Sequence, residues 1–450
     1  MSCATELRAR IDELSSAIEF LGLVLSDLET RRTNARRELN SILDPVARLP
    51  LEISSDIFLR CMSTASSHPR PNPSAAPMIF LNICRSWTDI ALATPWLWAA
   101  IDIDAPPYGA RFAELCKLWA SRARTLPLSF KLTVHKPLDR HIQDFLKQNT
   151  SRLQNFELYV DTADDLRRIR IGGPFSSLKT LTIGVSGNLA ETDFVNANEC
   201  VEILRAAPEL MECHFVNLYY EEDIWSWELS EAALTLTSLQ HLHLGNPHVH
   251  ISDGVQSNSA YILQNLTLPG LKSLHISDLD IDSEDFTSFL TRSSPPLESV
   301  SMVMPTVHSS RYIGTENFRF IPSLTDLELL CLPESPEDRN PFPAVFEMLS
   351  AEDFLPNLSN LTIFSIGAYF SQATHYEKLS VALAQRASSL RSFRLIFPFN
   401  EEIQDIAPPA DVILALQQLV KEGMHIHVGP EDRNWFWILL FISDINTGNS

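Results

Sequence analysis

The chain has 450 residues, of which 45% are apolar and 20% charged, and its net charge is −21. That length exceeds one ordinary globular core, so two or more domains or one elongated repeat array are expected. The acidic balance argues against a nucleic-acid binder, which needs a basic footprint for phosphate, and favours basic partners instead.

Seven cysteines, at positions 3, 61, 84, 116, 200, 213 and 331, are scattered, odd in number and without a Cys-x-x-Cys pair. That pattern is expected of reduced, mostly buried thiols in an intracellular protein, cytoplasmic or nuclear. Met1 to Arg10 is charged and lacks the apolar run of a secretory signal. The sequons at Asn149, Asn265, Asn357 and Asn360 are therefore read as chance matches. The longest apolar run, Trp435 to Ile442, is too short to span a bilayer, and no membrane partner is expected.

Taken in chain order, the first element is a predicted helix over residues 1–44. Leu7, Ile11, Leu14, Ile18, Leu21, Leu25 and Leu28 alternate steps of four and three, the period of a coiled-coil seam. The series continues through Arg32, Ala35, Leu39 and Ile42, and Pro45 stops it. Gly22 in the middle costs about 1 kcal/mol against Ala. Such a helix forms a homodimer through residues 7–42, pairs with a partner helix, or folds back on its own chain.

Residues 45–104 read as a small helical module. Leu49 to Met62 is an amphipathic helix that starts at Pro50, which a first turn tolerates because its missing N–H would be unsatisfied there. Ile53, Ile57 and Phe58 share one face. A second helix, about Met78 to Ala93, carries Phe80, Leu81, Cys84, Trp87, Ile90 and Ala91 at helical spacing, and Pro95 introduces Trp96, Leu97 and Trp98. So small a module cannot bury its tryptophans alone, so part of this surface must meet the next domain or another protein. Between the helices, residues 63–77 hold four prolines among small polar residues and are expected to form a flexible or polyproline-like insertion.

Leu49-Pro50-x-Glu52-Ile53, then Cys84-Arg85-x-Trp87, then Pro95-x-Leu97-Trp98 resemble the F-box in order and chemistry. The resemblance implies docking onto a Skp-type adaptor, and through it a cullin, by Leu49, Pro50, Glu52, Ile53, Ile57, Phe58, Cys84, Trp87, Leu97 and Trp98. The bland alternative is a helical hairpin that caps the next domain.

Residues 105–428 carry a repeat. Leucines at 153, 178, 210, 239, 271, 297, 324, 358 and 390 each begin a Leu-x-x-apolar-x-apolar unit, with Ser, Thr or Pro two residues before. Period and pattern match a degenerate leucine-rich repeat, one strand and one helix or loop per unit. The expected fold class is therefore α/β: an N-terminal coiled-coil helix, a helical F-box, a curved parallel sheet with outer helices, and a tail at 429–450. The preceding helix and following repeats are similar to the arrangement in large fungal F-box families. The asparagine usual later in the repeat is missing, with Asp161, Ser186, Pro247 and Pro305 in its place.

Between the buried strand positions one column reads Glu157, Thr182, His214, His243, His275, Ser301, Glu328, Thr362, Arg394. The three histidines, about 4.8 Å apart from strand to strand, form with His241 either a pH-sensitive recognition patch or merely solvated polar surface. Trp225 and Trp227, inside an acidic aromatic stretch from Tyr219, are either a binding hot spot or a cover for the core edge. A metal is not expected, because no carboxylate or cysteine completes a ligand set, and no cofactor is implied.

No nucleophile elbow, zinc-protease pair, P-loop, dinucleotide fingerprint or kinase set occurs. The expectation is a non-enzymatic substrate receptor of a Skp–cullin–F-box ubiquitin ligase that binds an unknown protein target. A repeat scaffold without a ligase role is the alternative, and an unrecognised hydrolase the remoter one.

Overall fold

The computed structural model describes residues 2–62, 68–105, 110–134, 140–160, 174–185, 197–216, 233–245, 259–277, 281–304, 315–331, 342–351, 354–365, 373–396 and 409–431. The chain divides into two compact units, Met1–Leu132 and Thr133–Ser450.

The first unit opens with helix α1, Ser2–Leu43, which ends just before Pro45 as the ring would require. Helix α2, Leu51–Arg60, follows with Pro50 as its N-cap. Glu52 in its first turn and Arg60 in its last complement the helix dipole. The stretch expected as one helix over 78–93 is two, α3 Phe80–Ile83 and α4 Arg85–Ala93, because Cys84 adopts extended backbone at φ −156°. No proline or glycine forces that break. A 3₁₀ turn, Pro95–Trp98, leads to strand β1, Ala100–Ala105; helix α5, Ala110–Arg122, and strand β2, Leu128–Val134, follow, with the division between units falling inside β2.

The described part of the proline-rich insertion, residues 68–77, is not a free loop. His68 is buried with its Nε2 2.7 Å from Ser129 Oγ. Arg70 Nε donates to Asp102 Oδ2 at 2.9 Å, and the Asp102 N–H donates to Pro69 O at 2.9 Å. The low-complexity composition hid these three anchors, which pin the segment to β1 through Asp102 and to β2 through Ser129; residues 63–67 lie outside the described residues.

The second unit is a parallel sheet. Its strands are β3 Leu153–Val160, β4 Thr180–Val185, β5 Glu212–Val216, β7 His241–Leu244, β9 Ser273–Ile276, β10 Ser299–Met304, β11 Asp326–Cys331, β12 Asn360–Ser365, β13 Ser392–Ile396 and β14 His425–Gly429, hydrogen-bonded in that order. A separate two-strand ladder joins β6, Leu234–Thr235, to β8, Leu266–Thr267. Helices α6 Arg140–Asn149, α7 Ala197–Arg205, α8 Ser259–Gln264, α9 Ser283–Ser293, α10 Phe342–Leu349, α11 Ala373–Gln385 and α12 Ala410–Lys421 occupy the intervals.

Local chemistry sets the repeat. Ahead of the first leucine, the chain makes a turn closed by an N–H to carbonyl bond three residues back: Leu210 to Ala207, Leu271 to Leu268, Leu324 to Ile321, Leu358 to Leu355. Pro208, Pro269, Pro322 and Pro356 take the second position of those turns, where a φ near −65° is already correct. The residue after the leucine then offers one carbonyl to two successive N–H groups of the next repeat. Lys179 O receives Met211 and Glu212, and Gln240 O receives Lys272 and Ser273. Two buried ladders run across the strands in strict register, one through Cys213, Leu242, Leu274, Val300 and Leu327, the other through Phe215, Leu244, Ile276, Met302 and Leu329. Each such side chain contributes about 1.5–3 kcal/mol on burial.

Two arginines, Arg386 buried and Arg292 exposed, tie helices to the preceding repeat. Arg292 donates to Leu263 O and Leu266 O at 2.8 and 2.9 Å. Arg386 donates to Leu349 O and Ala351 O at 2.8 Å and also to Phe354 O. Main-chain carbonyls at helix ends, otherwise orphaned, are thereby satisfied.

Candidate functional site

Two surfaces carry the residues singled out in the sequence, one in each unit. In the helical module, an aromatic cluster forms first. Phe58 stacks on Phe80 at 4.3 Å between ring centroids, and Trp87 lies 4.8 Å from Phe58 and 5.8 Å from Phe80. The Trp87 indole N–H donates to Asp44 Oδ2, which ties α4 to the end of α1. Trp98 donates Nε1–H to Ala91 O at 2.9 Å, meets Trp119 edge-on at 5.0 Å, and lies under the Arg122 guanidinium. The neighbour that buries this tryptophan is thus α5 of the same unit.

These contacts sort the expected adaptor-binding set. Phe58, Cys84, Leu97 and Trp98 are wholly buried in the unit's own core, so they cannot present side chains to another protein. Trp87 and Ile57 are half-buried, and Trp87 belongs to the internal aromatic cluster. Leu49, Pro50, Glu52 and Ile53 are exposed, and Leu51, Leu92 and Trp96 are exposed with them, Trp96 by 61%. A hydrogen bond between Ser55 Oγ and Thr94 Oγ1 at 2.8 Å brings α2 against the turn that carries Trp96. Helical spacing alone did not pick out Leu51 and Trp96, because it reports a face but not which face the unit covers.

In the second unit the strand column stands as spaced. Thr182, His214, His243, His275, Ser301, Glu328, Thr362 and Arg394 are consecutive register partners, and His427 extends the column by a tenth strand. His427 was missed because its strand followed a helix without the leading leucine pattern. The rings of His214 and His243 stack at 5.3 Å and 19°, those of His243 and His275 at 3.9 Å and 10°. His214 Nε2 donates to Glu212 Oε1 at 2.9 Å, and His241, register partner of Glu212, is exposed.

Stacking has an electrostatic price. Burial, then the neighbouring imidazoles His275 and His214, lower the pKa of His243 to about 3, and burial and His214 lower that of His275 to about 4. Both rings are thereby held neutral well below the usual imidazole pKa of about 6.5, near which a pH-sensitive patch would have to charge. The Nε2 atoms of His243 and His275 are buried without a hydrogen-bond partner.

Stacked rings aim their nitrogens along parallel directions and cannot converge on one ion; among the described residues no group of three or more His, Cys, Asp or Glu is placed to hold a metal. Around the ladder, the same sheet face carries Glu157, Glu212, Asp326 and Glu328 against Arg394. Trp225 and Trp227 lie outside the described residues, as do Asp161, Ser186, Pro247 and Pro305. Of the described cysteines Cys84, Cys116, Cys200 and Cys213 are buried and outside any disulfide, and Cys61 is exposed; burial pushes the Cys116 thiol up to about 12. No described helix is long and apolar enough to cross a membrane.

Comparison with known proteins gives little. No family model matches the chain, and no curated protein matches it. Among solved structures, a crystal structure of a Bacteroides fragilis protein is similar at 13% identity and a TM-score of 0.35, covering 71% of this chain and 80% of that one. The function proposed below does not rest on that likeness.

Proposed function

We propose that this chain is the substrate-recognition subunit of a Skp–cullin–F-box ubiquitin ligase, its helical module an F-box and its parallel sheet a degenerate leucine-rich-repeat solenoid. On this reading it performs no chemistry itself. The module docks the adaptor, the sheet face holds the target, and bond formation belongs to other subunits.

The observation that carries the proposal is a surplus of apolar surface on a module whose core is already filled. Leu49, Leu51 and Ile53 at the start of α2, with Trp96 nearby, stay exposed although Phe58, Leu97 and Trp98 close the interior. Clustered exposed apolar groups of this kind mark protein interfaces. On the sheet face, four carboxylates against one guanidinium, beside neutral imidazoles, favour a target segment with basic side chains.

The test is co-purification. Leu49→Ala with Pro50→Ala removes exposed groups at the start of α2 and leaves the buried core in place, so the chain is expected to keep its circular dichroism while adaptor capture drops at least tenfold. Undiminished capture by the double variant, or no capture by the unsubstituted chain, removes the ligase role and leaves a repeat scaffold.

A further inference from the structure

Among the described elements, helix α1 is the least covered. Its seam positions from Leu7 to Leu28 are each between 55% and 70% exposed. Contacts with the rest of the first unit begin only near its end, where Arg37 Nη2 donates to Asn82 Oδ1 and Asn40 Nδ2 to Ile83 O. A 3.5-residue apolar period is matched only by another long helix wound against it. The seam from Leu7 to Leu39 spans about 50 Å at 1.5 Å per residue. Among the described residues the other helices reach at most 13 residues, about 20 Å, so none of them matches that seam.

We propose that α1 pairs with α1 of a second copy in an antiparallel coiled coil, with Leu14 of each copy opposite Arg32 of the other. Direction follows from where the seam is poor. In a parallel pair Arg32 faces Arg32 and Ala35 faces Ala35, an ion repulsion beside a void. Reversal places Arg32 against Leu14 and Ala35 against Ile11, so each poor position meets a large apolar one, and Leu21 meets Leu25 at the centre.

Charge agrees. Arg31, Arg32, Arg36 and Arg37 against Glu38 make the last third of the helix +3, while Glu6, Asp12 and Glu13 against Arg8 and Arg10 leave the first third −1. A parallel pair sets +3 beside +3 and Arg31 beside Arg36. The reversed pair sets +3 beside −1 and Arg10 beside Glu38. Its one like-charged flank, Arg8 with Arg36, diverges, since each side chain leans toward its own N-terminus.

Sedimentation of the full chain is expected to give a dimer at micromolar concentration, and Ile18→Asp with Leu21→Asp a monomer. Under mild oxidation the double variant Leu14→Cys/Arg32→Cys forms covalent dimers whose linked peptides, identified by mass spectrometry, join position 14 to position 32. The single variant Leu14→Cys shows no crosslink beyond that of the unsubstituted chain. A 14-to-14 link in the single variant means a parallel pair and overturns the proposal, as does a full chain that stays monomeric up to about 100 μM.

Discussion

At the scale of single residues, side-chain chemistry was more legible than its destination. Phe58 shares a helix face with Ile53 by spacing, yet Phe58 fills the core while Ile53 stays out. Spacing identifies an apolar face; it does not say whether that face closes the unit or meets another protein. The histidine column was legible because strand alternation and repeat spacing together fix a register. What the rings do to one another was not, since stacking at 3.9 Å depends on rotamers. Its consequence is a pH effect on stability. His243 and His275 have pKa values of about 3 and 4 in the folded chain against roughly 6.5 unfolded. The unfolded chain therefore binds more protons between those limits, and stability rises with pH there. The contribution is complete above pH 6.5 and is lost as pH falls toward 3. Chemical denaturation at pH 7 and pH 5 is expected to show a loss at pH 5, and His243→Asn with His275→Asn to reduce it. An equal loss in variant and unsubstituted chain would show that these two imidazoles do not carry the effect.

Elements are specified by pattern plus punctuation. Pro50 starts α2 and Pro45 ends α1. The turn prolines at 208, 269, 322 and 356 set the leading turn of four repeats. Where punctuation is absent, reading fails: Cys84 splits one expected helix into two without any breaker in the sequence. Strand β1, at the end of the expected 45–104 module, and helix α5 and strand β2, at the start of the expected 105–428 region, were not resolved either, because they lack the repeat's leucine signature. Helix α1 is the element whose pattern was plainest, and its exposure makes a separate prediction. Its bonds to the rest of the unit gather at its C-terminal end, through Arg37, Asn40 and the Ile42 carbonyl, with Asp44 just beyond it. Deleting residues 2–30 is therefore expected to change unfolding free energy by less than about 0.5 kcal/mol. The comparison is with the Ile18→Asp/Leu21→Asp chain, so that both are monomers and mass action does not enter. A loss of several kcal/mol would mean that the helix folds back on its own chain in solution.

Over the whole molecule, the sheet unit is the part that sequence described best, and repetition is the reason. Each repeat restates the same three buried positions, so an error in one is corrected by its neighbours, and a tenth strand at 425–429 falls into the register of the ninth. The candidate target face was legible to the same extent, whereas residues in the intervals, Trp225 and Trp227 included, have no repeating context to place them. Repetition also governs how damage spreads. Leu274 is wholly buried and pairs in register with Leu242 on one side and Val300 on the other. Leu274→Ala removes buried methyl groups and leaves a cavity, a cost of about 2–5 kcal/mol. In an array whose units touch only their neighbours, that cost is borne locally. Hydrogen exchange is expected to accelerate most in β7, β9 and β10, and least in β3 and β14, four or more strands away. Acceleration by one common factor from β3 to β14 would show instead that the unit opens as a single cooperative block, and the nearest-neighbour description of this sheet would fail.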